Sequence, residues 1–477
     1  MMRTVCSVDP SLRYSDAPPY DAAETFPEIA AYVTERIGDN VLQGTLRKLF
    51  VEAGLDKEHF GSSAWNPLGG WIKPGQRVVL KPNWVFEPRQ GERQLITEGS
   101  FIRAVLDYVI VALRGAGKIT ICDAPVQSAD FDAILQAVGV ARVFSGLARD
   151  GLELVVADLR REMALTDTTR CRITGYRKLA GDPLGYAEVD LGASSFLDEL
   201  CQVPGGVTFH SSHYDERLTG QSHQAGIHRY LIARSVLDAD VVVNLPKVKT
   251  HKKSGVTGAL KNLVGINGGK EHVVHFTRGP GGGDEFAKRS VVSEVAHFVD
   301  VHTKDRMPGW LWKVMYAGWR TYKNRILRRS NGGAVAEETL LSYGGSWHGN
   351  RTIWRTIYDL NLLLFYADRD GKLSPGRKRE VLAIADGIVA GEGEGPLACQ
   401  PRSEGIVIMG DDPVAVDACF ARVMGFPEER IPILAEVRKQ RAPYIFSRYG
   451  GESPLFAGGA SEIRPFLAPA TWRGHLR

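Results

Sequence analysis

Hydrophobic runs of two different periods alternate along this chain. Residues 77–80 (RVVL), 118–122, 152–156 and 237–243 are short and rich in β-branched side chains, which predicts strands. Residues 101–113 and 131–138 instead carry apolar positions at helical spacing. The consecutive valines at 241–243 predict a strand buried on both faces, since a half-solvated strand would alternate. A helix-like stretch near 40–54 precedes the first strand, and the final third repeats the rhythm with strands at 381–385 and 406–409 and a helix at 414–424. Asp412 is placed to cap that helix, Pro413 suits its first turn and Gly425 its end. Strand, helix and strand in succession predict an α/β protein whose mostly parallel sheet or sheets are flanked by helices.

Two stretches break this rhythm. Residues 157–235 are polar and carry His210, His213, His223 and His228; no pair shares a convincing helix face, so the stretch reads as a histidine-rich mobile or capping loop rather than a metal site. Residues 271–350 read as a helical insertion. There His272 and His275 lead into Gly279-Pro280-Gly281-Gly282-Gly283, a loop or lid beside the basic residues described below. Leu311, Trp312, Met315, Tyr316, Trp319, Tyr322 and Ile326 then mark one face of a helix that also bears Lys313, Arg320, Lys323, Arg328 and Arg329. Packing over a core is the favoured role for that helix, and contact with a membrane surface is the alternative. The divisions expected are an N-terminal arm with helices at 1–74, a first α/β half with a lysine cluster at 75–270, the insertion at 271–350, a second α/β part at 351–430 and a C-terminal extension at 431–477.

Composition narrows the function classes. With 477 residues, 44% of them hydrophobic and 24% charged, the chain resembles an ordinary globular protein with ample core. A net charge of +4 is too small to argue for nucleic acid, and no nucleic-acid-binding motif is present, so no nucleic-acid partner is expected. The six cysteines lie far apart, which fits a reducing compartment, and no apolar stretch reads as a signal peptide or membrane span. A cytoplasmic protein is expected.

The chemistry concentrates where apolar strands end. Lys247, Lys249, Lys252, Lys253 and Lys261, with His251, follow the strand at 241–243, at the edge where open α/β sheets hold ligands. Lys81 and Asn83 end the earlier strand, and Thr250, Asn244 and Asn262 offer hydroxyl and amide groups alongside. A solvated basic loop would also produce such a run. Against that, Gly258 and Gly265 flank a short helical segment whose N-terminus favours negative charge, so a small anionic ligand is expected, bound by Lys81, Asn83, Lys247, Thr250, Lys261 and Asn262. Lys249, His251 and Asp386 are the candidate catalytic groups, and Asp386, Glu392 and Asp411 could hold a divalent metal through oxygen. Walker, dinucleotide and serine-hydrolase signatures are absent; the glycines at 391–395 have the wrong spacing for a dinucleotide loop.

Several ordered motifs carry a resemblance. LKPNWV at 80–85, DAP at 123–125, LPKVKTHKKSGVTGALKNLVG at 245–265, ADGIVAGEGEGP at 385–396 and GDDPVAVDACFARVMGF at 410–426 resemble the bacterial and archaeal proteins grouped as domain of unknown function 362. That resemblance implies no settled reaction. Some relatives join this domain to ferredoxin-like cysteine motifs; the cysteine run is missing here, so an iron-sulfur cluster is not expected. The leading expectation is an enzyme acting on a small carboxylate or phosphate, its reaction class open. A redox accessory protein and a non-catalytic binding or membrane-peripheral assembly factor are the alternatives.

Overall fold

The computed structural model describes residues 2–33, 37–145, 147, 150–169, 172–212, 216–279, 282–299, 307–329, 341–457 and 463–476. His213, Pro280 and Gly281 therefore lie outside the described residues. One 10-stranded sheet organises the chain. Its strands are β1 (Val5–Val8), β2 (Arg77–Pro82), β3 (Gly117–Asp123), β4 (Leu152–Asp158), β5 (Val241–Leu245), β6 (Lys247–His251), β7 (Gly255–Thr257), β8 (Glu380–Glu394), β9 (Ala398–Gly410) and β10 (Leu455–Ala457). The order is β10-β1-β9-β8-β5-β2-β3-β4, with β6 pairing β8 and β7 pairing β6. From β8 through β4 the strands are parallel, as the strand-helix-strand rhythm requires, and β9 turns antiparallel against β8 and β1.

Alternate side chains of each strand feed two cores. Val241, Val243, Val78, Leu80, Leu382 and Ile384 pack on the side of α1 (Leu42–Glu52) and α2 (Gly99–Ala112), with α3 (Phe131–Val138) beside them. Val242, Val79 and Ala383 pack on the opposite side, against α6 (Ile353–Tyr366) and α7 (Pro413–Met424). This is why 241–243 had to be apolar throughout. Between these lie the one-turn helix α4 (Ala259–Asn262) and the long α5 (Gly309–Arg329) of the insertion. Among the described residues no helix is long and apolar enough to cross a membrane.

The structure departs from the sequence reading in three places. Strand β8 does not stop at Ala385 but continues to Glu394, so Asp386 lies within a strand and the glycine-rich 391–394 segment is paired with β9. Glycine weakens a strand by entropy, but the antiparallel ladder to β9 holds this one in place. Much of the histidine-rich region is also ordered: Tyr186–Asp190, His223–Gln224 and Ile227–Ala233 form a small antiparallel sheet, and Thr208–His210 pairs with Phe276–Arg278. Finally, the N-terminal arm and C-terminal extension supply β1 and β10, so the outer segments complete the central sheet.

Candidate functional site

Pro246 separates β5 from β6, and the two strands pair in turn with the first and second parts of β8. Their register sets Lys247 opposite Asp386 and Lys249 opposite Gly391. Lys247 Nζ donates to Asp386 Oδ2 at 2.9 Å and to the Tyr14 hydroxyl at 2.6 Å, and Tyr14 in turn donates to Asp386 Oδ1 at 2.5 Å. The Glu98 amide donates to Asp386 Oδ2 as well. Lys247 and Asp386 are fully buried, so each charge depends on the other. On the neighbouring strands Lys81 Nζ meets Asp123 Oδ1 at 2.7 Å, and the Trp84 amide donates to Asp123 Oδ2. Gly265 is required there, because a side chain would strike Asp123 and come within 2.6 Å of Lys81 Nζ.

A second set of cations has only backbone oxygens for partners. Lys249 Nζ donates to the Leu95 carbonyl at 2.5 Å, Lys270 Nζ to the Ala124 carbonyl at 2.6 Å, and Lys253 Nζ to the Gly344 carbonyl while lying 5.5 Å over the Phe276 ring. Burial pushes Lys249, Lys253 and Lys270 down to about 7 and Lys261 down to about 8, with neighbouring lysines adding to the fall at Lys249 and Lys253. His251 lies well below its ordinary value, first through burial and then through Lys261, Lys253, Lys249 and Lys252. His275 is depressed by burial and then by Lys253, Lys261 and Lys270, so the same cations act on both rings. Nδ1 of His251 accepts the amides of Lys253 and Ser254, which leaves the ring proton of the neutral imidazole on Nε2. Among the described residues no carboxylate is hydrogen-bonded to these amines, although Asp284 and Glu285 act on Lys253 and Asp123 acts on Lys249 and Lys270 through space.

The amides expected to bind ligand mostly bind one another. Asn83 Nδ2 donates to Asn262 Oδ1, Asn262 Nδ2 donates to Asn244 Oδ1 and the Lys81 carbonyl, and Asn244 Nδ2 donates to the Ala259 carbonyl. This network ties α4 to β2 and β5, and the buried Asn83 Oδ1 is left without a hydrogen bond. Thr250 Oγ1 donates to the Gly393 carbonyl. The N-terminus of α4 faces no open site either: the Asp417 carboxylate, on α7, takes the Ala259 and Leu260 amides. Burial raises Asp417 to about 7.

The expected oxygen-ligand metal site does not assemble. Asp386 is held by Lys247 and Tyr14, Glu392 Oε2 takes Arg402 at 3.1 Å and the Leu467 amide at 2.7 Å, and the Asp411 carboxylate takes the Met2 amide. These three carboxylates form no common group among the described residues; the group with ligand atoms within 4.8 Å of one another is Asp198, Cys201 and His228. Continuation of β8 as a strand is the cause, because it spreads Asp386 and Glu392 along one ladder. A cleft of about 630 Å³ beside α7, lined by Arg422, Phe426 and Tyr449, includes none of the lysines. Lys270 and Tyr14 are not candidates on sequence grounds. Lys270 follows two glycines, a weak signal, and Tyr14 joins Asp386 only through folding.

Known proteins match parts of this chain. Over 207 residues it is 28% identical to a thylakoid-associated protein of Synechocystis sp., a match covering 43% of this chain and 44% of that protein. The match thus spans less than half of that relative's length. A crystal structure of a Thermotoga maritima protein superposes on 81% of this chain and 59% of its own, at 9% identity and a TM-score of 0.32. The matching family profile covers β5 through most of α7, the part of the chain that holds Lys247, Lys249, Lys261 and Asp386. Residues 192–422 match the family described as domain of unknown function (DUF362), so this part of the chain is similar to that family.

Proposed function

We propose that the region around Lys249, Lys253, Lys261 and Lys270 binds a small, multiply charged anion of the carboxylate or phosphate class. One observation carries this reading: four lysine amines lie near two neutral imidazoles, three of them (Lys249, Lys253 and Lys270) donating to backbone carbonyls and none hydrogen-bonded to a carboxylate among the described residues. An anion would favour their protonated forms and offset the cost of burying them. Phe276 and Gly344, from the insertion, lie against Lys253 and would help exclude water from a bound ligand. Of the groups considered for proton transfer, His251 suits the role through its Nε2 proton, whereas Asp386 is engaged by Lys247 and Tyr14. Titration calorimetry with inorganic phosphate and with citrate tests the reading. Lys261→Gln, which changes a half-buried side chain, should weaken binding more than about tenfold with the melting temperature preserved. Unchanged affinity would overturn the assignment.

A second reading concerns location. Trp310 and Val314 on α5 are 70% and 64% exposed, and the helix sequence is rich in lysine and arginine without an acidic residue. Together with the thylakoid association stated for the Synechocystis relative, this supports peripheral contact with an anionic lipid surface. Flotation with vesicles containing anionic lipid should carry the protein upward, and Trp310→Glu should reduce this; equal recovery of wild type and variant would count against it.

A further inference from the structure

Asp198, Cys201 and His228 form a cluster that neither the lysine site nor the sheet requires. Asp198 and Cys201 are three residues apart on one helical turn (Asp198–Cys201), which sets them on a common side, and His228 reaches the turn from the strand Ile227–Ala233. One ligand-capable atom of each lies within 4.8 Å of the others, and His228 Nε2 is 3.3 Å from Asp198 Oδ1. The His228 side chain is fully buried, while Asp198 and Cys201 are half-buried, so an ion could enter from their side.

The hydrogen bonds around the neighbouring His223 decide what His228 offers. His223 Nε2 lies 2.9 Å from the His272 carbonyl, an oxygen that can only accept, so Nε2 carries a proton. His223 is 1% exposed, packs beside the rings of Phe209 and Tyr230 and has no carboxylate partner, which makes it a neutral ring with a bare Nδ1. That Nδ1 is 3.4 Å from Nδ1 of His228 and must accept from it. A neutral His228 therefore keeps its proton on Nδ1 and turns the lone pair of Nε2 toward the Asp198 carboxylate. In that tautomer the Nε2 lone pair and the Asp198 carboxylate face one another beside a thiol, and either a proton on Nε2 or a metal cation between the three groups satisfies both. The Gly226 amide, donating to Asp198 Oδ1, and His223, accepting from His228, supply the outer hydrogen bonds that orient metal ligands.

We propose that Asp198, Cys201 and His228 hold a divalent ion of the zinc class through Oδ1, Sγ and Nε2. The set combines oxygen, thiolate sulfur and imidazole nitrogen, which suits zinc or cobalt(II) and disfavours magnesium and calcium. On binding, the Cys201 thiol releases its proton to solvent as the metal-sulfur bond forms, while Asp198 and neutral His228 bind without proton loss. Three protein ligands leave a fourth position for water.

The test uses the full chain, stripped with a chelator and reloaded with zinc or cobalt(II). The wild type should retain about one ion per chain after gel filtration. Its cobalt form should show thiolate-to-metal charge-transfer absorption. Cys201→Ser should abolish that band, whereas Cys399→Ser should leave it. His228→Gln should weaken zinc binding more than about tenfold, and zinc should raise the melting temperature of the wild type but not of Cys201→Ser. A wild type that retains no ion, or a charge-transfer band that survives Cys201→Ser, would overturn the assignment. Circular dichroism and the melting temperature of metal-free Cys201→Ser, compared with the metal-free wild type, check separately that the fold is intact.

Discussion

Lys247 and Lys249 are two residues apart on β6 and experience opposite electrostatic conditions. The first has a buried carboxylate at 2.9 Å; the second has a carbonyl and is pushed down to about 7. Lys253 and Lys270 share the second condition, and burial lowers Lys261 to about 8. For each of these four groups the folded protein binds fewer protons than the unfolded chain between its depressed value and the ordinary 10.5, so stability rises with pH across that range. Asp359 and Asp417, raised to about 7 first by burial, oppose this only below pH 7, where folding loses stability as pH climbs from 3.8. Buried thiols and phenols, raised above their ordinary values, oppose it at higher pH. The ligand-free protein should accordingly melt at higher temperature at pH 8.5 than at pH 7. Added inorganic phosphate should stabilise it more at pH 6.5 than at pH 9, because protonated lysines hold the anion. Equal stabilisation at both pH values, read by thermal melts, would uncouple the lysines from phosphate.

At the scale of elements, α4 shows how a one-turn helix is held in place. Its N-terminal amides are capped by Asp417 from the middle of α7, and Gly258 is needed because any side chain there would collide with that carboxylate. Asp417→Ala should cost about 0.5–2 kcal/mol, the usual range for losing a helix N-terminal cap, measured by denaturant unfolding. Since α4 carries Lys261, the same variant should also weaken phosphate binding; Asp417→Asn, which keeps an acceptor, should fall between it and wild type. Many elements were readable locally. The helix at 131–138 occurs as Phe131–Val138, and Asp412, Pro413 and Gly425 bound α7 as their chemistry requires, with Asp412 accepting the Val414 and Ala415 amides and Gly425 at φ 73°. The cap supplied by Asp417 was not readable, because its partner amides are 157 and 158 positions away. Nor was the length of β8, whose glycines suggest a loop until β9 provides the ladder.

The whole molecule closes through its ends. Strand β1 lies between β9 and β10, and Tyr14, just beyond it, bridges Lys247 and Asp386 from 233 and 372 residues away. Removing residues 1–15 should therefore strip β10 of its neighbour and open the buried ion pair, giving loss of the cooperative transition in circular dichroism; an unchanged melting temperature would refute this. The order of apolar runs determined by itself that the protein is α/β with a mostly parallel sheet, because burial on both faces leaves a continuous apolar signature in the strands. The same local sequence also placed a basic cluster at a strand end. Only the tertiary structure decided which lysines receive a carboxylate, which amides are consumed by one another, and that Asp198 and Cys201 meet His228. These outcomes depend on register and packing between distant segments, since charge compensation acts over a few ångströms of space without regard to separation along the chain.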